Sequence, residues 1–351
     1  MPLLKPMLLL KLLSNKLINY ICGQIFNSLS GKAMTKDLRL NNFPISFFSV
    51  ILGLTGFSIA FQKVEEIISL PIHLSYYFLW FAVALFIILS LIYLIKIIKL
   101  PNEVKMEFNH PIKLNFFPTF PISFLLLSIA FLEVDKDISK YLWFTGVILL
   151  FLVTIKILSI WMEKDKFQIT HMSPAWFIPP VGSIVIPIAG VVHYPSELLW
   201  FFFSIGIMFW LILLIIFFNR IIFHNPLPSK LIPTLFILIA PPAIGFISYV
   251  RLIGEIDAFA KILYYFALFL TILLFSQFKM FKKIEFFLSW WAYSFPLSAI
   301  SIASFLMFHK TQIVAFKFIG LAIFAFLVGL IFYLLVKTVQ SISKKQICID
   351  E

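Results

Sequence analysis

Apolar runs of about 20 residues follow one another along this chain, parted only by short polar or charged breaks. A helix needs roughly 20 apolar residues to cross the ~30 Å hydrocarbon core, where lipid offers the backbone no hydrogen bonds. The chain is therefore predicted to be an all-α, polytopic membrane protein. Ten transmembrane helices are expected near 43–62, 74–98, 114–132, 141–162, 174–192, 197–219, 231–250, 259–278, 286–308 and 313–336. Composition excludes the soluble alternative: 62% of residues are hydrophobic and 13% charged, against about 45–50% and about 25% in soluble domains. Forty-four phenylalanines cannot be buried in a water-soluble core of this length without large exposed apolar patches.

The net charge of +12 would suggest nucleic acid as a partner in a soluble protein. Sidedness explains it better here. Twenty of the 28 Lys and Arg fall in the N-terminal segment, the connections after even-numbered spans and the C-terminal tail. Six fall in the opposite connections, and Lys156 and Lys317 lie inside spans. The 16 Asp and Glu divide eight and eight, so the bias belongs to Lys and Arg alone, as the positive-inside rule requires. A multi-pass inner-membrane protein with both termini cytoplasmic and no nucleic-acid partner is expected. Residues 1–40 are rich in Leu and Ile but carry Lys5, Lys11 and Lys16, too many charges for a span. They are read as a basic amphipathic segment on the inner leaflet, with a start at Met34 as the alternative. Residues 41–340 form the ten-helix domain and 341–351 a cytoplasmic tail. Cys22 and Cys348 lie at opposite ends, outside any span, so they make no disulfide framework.

Proline divides the spans into two kinds. Pro44 marks the first, Pro118 and Pro121 the third, Pro179, Pro180 and Pro187 the fifth, Pro233, Pro241 and Pro242 the seventh, and Pro296 the ninth. Even-numbered spans are uninterrupted, as in 201–218. The elements Phe43-Pro44-Ile45-Ser46, Phe120-Pro121-Ile122-Ser123 and Phe295-Pro296-Leu297-Ser298 recur, and Pro44 to Pro296 is 252 residues across four intervals, a mean of 63 per unit. The unit is a helical hairpin, one member bent and one straight, repeated five times. Proline removes a helix hydrogen bond and bends the helix, tolerable in a bilayer only where the helix is buried in protein or lines a water-filled cavity. Pro44, Pro121, Pro187, Pro241, Pro242 and Pro296 are thus expected to mark bends in five inner helices around a central passage.

The passage holds little chemistry. No Asp or Glu sits mid-span, and His73, His110, His171, His193, His224 and His309 all lie at span ends or in connections. A carboxylate proton relay and a bis-histidine haem site therefore have no residues. No nucleotide-binding or hydrolase motif occurs, so no enzyme, cofactor or metal is expected. What remains is hydroxylic and aromatic. Ser294, Ser298 and Ser301 form an i, i+4, i+7 stripe, Ser46 and Ser49 flank Phe47, and Ser123 adjoins Phe124. Phe47, Phe124, Ser294, Ser298 and Ser301 are the pore-lining candidates, because hydroxyls replace part of an ion's hydration without fixing it. Helix packing is the competing use of such serines.

Five segments carry a family resemblance: 43–61 (FPISFFSVILGLTGFSIAF), 110–117 (HPIKLNFF), 174–190 (PAWFIPPVGSIVIPIAG), 231–245 (LIPTLFILIAPPAIG) and 290–303 (WWAYSFPLSAISIA). Over about residues 41–340 the chain resembles the tellurite-resistance/dicarboxylate transporter family, which takes in TehA and the slow-type anion channels of plant guard cells. The resemblance implies ten helices in a quasi-fivefold ring of hairpins around an anion pore, commonly in a homotrimer. It also implies that a phenylalanine just before the proline of the ninth helix gates the pore, which falls on Phe295. Passage of small inorganic or carboxylate anions is the expected function; a carrier for C4-dicarboxylates or an exporter of toxic oxyanions such as tellurite is the alternative. One departure is Gln62, where relatives often place Arg.

Overall fold

The computed structural model describes residues 38–70, 73–282, 284–344 and 346–348. Cys22 and the expected amphipathic segment up to residue 37 lie outside these. Among the described residues every regular element is helical, and ten helices are long and apolar enough to cross a membrane. They are Ile45–Ile68, Leu74–Lys99, Lys113–Phe131, Lys136–Glu163, Pro174–His193, Glu197–Phe223, Ser229–Ile253, Ala258–Ser276, Leu288–Thr311 and Val314–Ser343.

Where the ends differ from expectation, polar side chains account for two of the starts. The fourth span begins at Lys136, five residues before 141, because the Asp135 carboxylate accepts the backbone N–H groups of Asp137 and Ile138 at 2.9 and 3.0 Å. Asp257 caps the eighth span likewise, through the Ala260 N–H at 2.9 Å. Such caps satisfy donors that the first helical turn leaves free. The first span runs on to Ile68 and takes Lys63, Glu65 and Glu66 into its last turns.

The two kinds of span differ in winding. Each even span is one continuous α-helix, whereas each odd span begins as 3-10 helix and becomes α-helical partway along. The 3-10 stretches are Ile45–Phe47, Lys113–Phe116, Pro174–Phe177 with Gly182–Val185, Ser229–Ile239 and Leu288–Tyr293. Proline sits at the second or third residue of the α-helices that start at Thr119, Ile186, Ala240 and Ser294. There its missing N–H costs no α-helical hydrogen bond. Its ring does exclude the carbonyl four residues back from α geometry, so the chain ahead of it winds with three residues per turn instead. The prolines therefore mark changes of winding more than mid-helix breaks.

Odd spans form the inside. Their apolar windows are 72–78% buried, against 39–44% for the even spans. The first packs on the third, the third on the fifth, the fifth on the seventh, the seventh on the ninth and the ninth on the first, so the contacts close on themselves. Each even span packs on the odd span before it and touches the next, covering the seam from outside. Hydroxyls staple the hairpins: Ser58 donates to the Ser75 carbonyl, Ser128 to Ser139, Ser183 to Phe202 and Ser301 to Gly320, at 2.8–3.0 Å.

Close approach also depends on glycine. A Cβ on Gly146 of the fourth span would lie 2.8 Å from the Leu125 side chain and 3.1 Å from its backbone nitrogen. The backbone cannot give way, so Gly146→Ala is expected to destabilise by about 1–3 kcal/mol through overpacking. Thermal unfolding in detergent would measure it, and an unchanged midpoint would mean the outer helix is free to slide.

Candidate functional site

The N-terminal halves of all five odd spans border one cavity of about 620 Å³. Of the even spans, only Lys96 reaches it among the described residues. Within the 3-10 stretches, residues three apart eclipse and so share the inward face. The lining includes series spaced by three that continue from these stretches into the α-helical parts: Ser46, Ser49 and Leu52; Lys113, Phe116, Thr119 and Ile122; Ile178, Val181 and Ile184; Leu231, Thr234, Ile237 and Ala240; Ser289, Ala292 and Phe295. Charge lies at the outer end, with Lys113, Lys230 and Glu103, beside His110. Hydroxyls follow, and the residues furthest along the spans are apolar: Leu52, Ile122, Ile184, Ile244 and Phe295.

Five helix N-termini opening on one space make its mouth electropositive, because the peptide dipoles of a helix sum to a partial positive charge there. His110 stays uncharged at neutral pH. Burial, then Lys113, His171 and Lys166, hold its pKa below the usual range, and its Nδ1 accepts the backbone N–H groups of Ile112 and Lys113 at 3.1 and 3.3 Å. The segment 346–348 also borders the mouth, and burial pushes the Cys348 thiol up to about 12.

A buried ion pair forms part of the wall. Lys96 and Glu107 meet at 2.8 Å with side chains 3% and 7% exposed. The Glu107 carboxylate also accepts the Ile45 N–H at 2.7 Å and the Tyr93 hydroxyl at 3.1 Å, while Lys96 donates to the Phe43 carbonyl at 2.8 Å. These bonds tie the second span and the short helix Pro101–Asn109 to the 3-10 start of the first span. Sequence reasoning missed the pair: Lys96 counted as one more cytoplasmic cation. The signal available was a Lys one turn after Tyr93, with Glu107 11 residues on across a tight turn. A second buried carboxylate, Glu65, accepts the Ser75 N–H and hydroxyl at 2.9 and 2.6 Å, closing the first hairpin at its other end.

Of the side chains singled out from sequence, Phe295 borders the cavity. It is half-buried, its ring edge 3.3 Å from where a Cβ on Gly56 would be, and it belongs to no ring pair among the described residues. Phe47 instead stacks on Phe43 at 4.8 Å, and Phe124 meets Phe86 of the second span edge-on at 4.9 Å. Ser294 donates to the Trp291 carbonyl and fills the space over Gly53. Ser298 donates to the Ser294 carbonyl beside Gly56, and Ser301 reaches the tenth span at Gly320. The serine stripe of the ninth span thus packs helices, and the lining face is the one offset from it. Pro44, Pro241 and Pro296 border the cavity; Pro121, Pro187 and Pro242 do not. No three His, Cys, Asp or Glu among the described residues converge as metal ligands do.

Residues 42–339 match the profile of the SLAC1 family, described as "Voltage-dependent anion channel". An uncharacterized transporter of Methanocaldococcus jannaschii is 25% identical over 336 residues, covering 89% of this chain and 98% of that protein. The S-type anion channel SLAH3 of Arabidopsis thaliana is 28% identical over 273 residues, 76% of this chain and 43% of the plant protein. A tellurite resistance protein TehA homolog of Haemophilus influenzae is 24% identical over 313 residues, 86% of this chain and 92% of that one.

Proposed function

Because the chain belongs to the SLAC1 family of voltage-dependent anion channels, we propose that its cavity is one half of an anion pore and that Phe295 is the gate at the inner end. The observation that carries this reading is the lining: all five odd spans, and of the even spans only Lys96 among the described residues, border one cavity that passes from lysines through hydroxyls to Phe295 and aliphatic side chains. An apolar constriction blocks an ion sterically and resists wetting, while a weakly binding polar approach lets ions enter and leave. The hairpins form a quasi-fivefold ring, each protomer holds its own pore, and a homotrimer in the inner membrane is the assembly. Passive flow of small inorganic or carboxylate anions is favoured over ion-coupled transport, since the described acids lie near span ends, where no carboxylate relay crosses the bilayer.

Planar-bilayer recording of the purified protein with chloride, nitrate, malate and succinate tests this. Anion-selective current following the anion gradient is expected. Uphill uptake driven by a pH gradient at clamped voltage would replace the channel with a carrier.

The cavity mouth is assigned to the cytoplasm, together with both termini, on the strength of the Lys and Arg bias. Lys105 and Lys136 are exposed at opposite ends of the fold. In a protein with Cys22 and Cys348 replaced by serine, Lys105→Cys should label from the cytoplasm and Lys136→Cys from outside. Labelling of both from one side would reverse the assignment.

A further inference from the structure

We propose that Ser49, Thr119 and Thr234 form a hydroxyl collar that donates hydrogen bonds to the passing anion, a proposal resting on the reading of the cavity as an anion pathway. Every odd span carries one Ser or Thr whose hydroxyl donates to the carbonyl three residues back. Ser49 donates to Ser46, Thr119 to Phe116 and Ser294 to Trp291 at 2.6 Å, Ser183 to Pro180 at 2.7 Å, and Thr234 to Leu231 at 2.5 Å. Further along the odd spans the spacing is four, as in Ser123 to Thr119, Ser298 to Ser294 and Ser304 to Ile300. The spacing of three follows the tight winding at the start of each odd span.

Three of the five hydroxyl residues border the cavity. The other two are committed to packing: Ser183 also donates to the Phe202 carbonyl at 2.9 Å, and Ser294 lies over Gly53. The collar residues stand between the lysines of the mouth and the apolar end. There an anion has left much of its water, and the cation in the wall, Lys96, is already paired with Glu107. A hydroxyl has a single hydrogen, and each collar residue donates it to its own backbone. One rotamer step of χ1 turns it toward the cavity, and the carbonyl left behind keeps the i+3 backbone N–H that 3-10 winding supplies. Thr119 and Thr234 are fully buried in this conformation, so the collar is shut and opens with the constriction. Donors that are borrowed from the backbone and returned to it bind weakly, which is what permeation requires.

The experiment uses Thr119→Val and Thr234→Val, which keep the shape and remove the hydroxyl, together with Ser49→Ala, singly and combined, in the Phe295→Ala background. Bi-ionic reversal potentials give the permeability of chloride relative to iodide, which needs hydrogen bonds less. The combined variant should lower that ratio about five- to tenfold, the loss of roughly one net hydrogen bond. Thr119→Ser and Thr234→Ser should keep the parent ratio, as should Ser183→Ala and Ser294→Ala, whose hydroxyls face away. A parent-like ratio in the combined variant, with current still flowing, overturns the collar and leaves the channel intact. No anion current from any variant, Phe295→Ala alone included, removes the pore reading and the collar with it.

Discussion

Replacing Phe295 with alanine should raise anion current by at least about tenfold while leaving the protein close to its normal stability. The ring is half-buried at the apolar end of the cavity, and among the described residues it belongs to no ring pair, a trait it shares with several other phenylalanines, the buried Phe305 among them. Its contact on the first span is Gly56, whose missing side chain leaves the ring a flat place to lie. A ring held on one side can swing aside by a rotamer change, and its removal widens an existing space without emptying a packed core. An ordinary core phenylalanine behaves otherwise: truncation leaves a new cavity, costs about 3–5 kcal/mol and opens nothing. Current and thermal stability measured on one preparation separate the two. Unchanged current with a large loss of stability would rule out the gate.

The second large effect is expected at Glu107. Its carboxylate takes hydrogen bonds from Lys96, Tyr93 and the Ile45 N–H, almost out of contact with water. Glu107→Ala strands the Lys96 ammonium in the protein interior and frees the start of the first span. Breaking a buried pair this way costs about 3–5 kcal/mol, whereas replacing both partners with apolar residues of similar volume is often neutral. Lys96→Met with Glu107→Leu should therefore recover most of the thermal stability that Glu107→Ala loses. A loss below about 1 kcal/mol in the single variant, the worth of an exposed pair, would mean that water reaches the site freely. Because Ile45 and Phe43 lead into Ser46 and Ser49 on the cavity wall, the same variant should also lower the current of the Phe295→Ala protein.

Much of the architecture was legible in the sequence. Ten spans, their all-helical character and the split into proline-bearing and uninterrupted members all agree with the structure. These are properties of contiguous residues: enough apolar side chains to cross lipid, and a backbone that must satisfy itself. Phe295 was legible through resemblance, since as one phenylalanine among 44 it carries no distinguishing pattern.

The lining face was not legible. Reading the ninth span with α-helical spacing selects Ser294, Ser298 and Ser301, which hold the span against its neighbours, while the cavity faces Ser289, Ala292 and Phe295. The serines lie in the α-helical part of the span and share a true helix face, so periodicity finds a face but cannot say which face meets the cavity. Proline signals a change of backbone, but its presence alone does not say that 11 residues from Ser229 to Ile239 will wind as 3-10. The Lys96–Glu107 pair was hidden for a related reason. Hydropathy places both charges at a span end, where water would screen them, and only the packing of the first span and of Pro101–Asn109 removes that water. Sequence thus determined how often the chain crosses and which spans change their winding, because each follows from a short stretch meeting lipid. Tertiary structure decided which side chains share the cavity, because that depends on local winding and on neighbours far away in the chain.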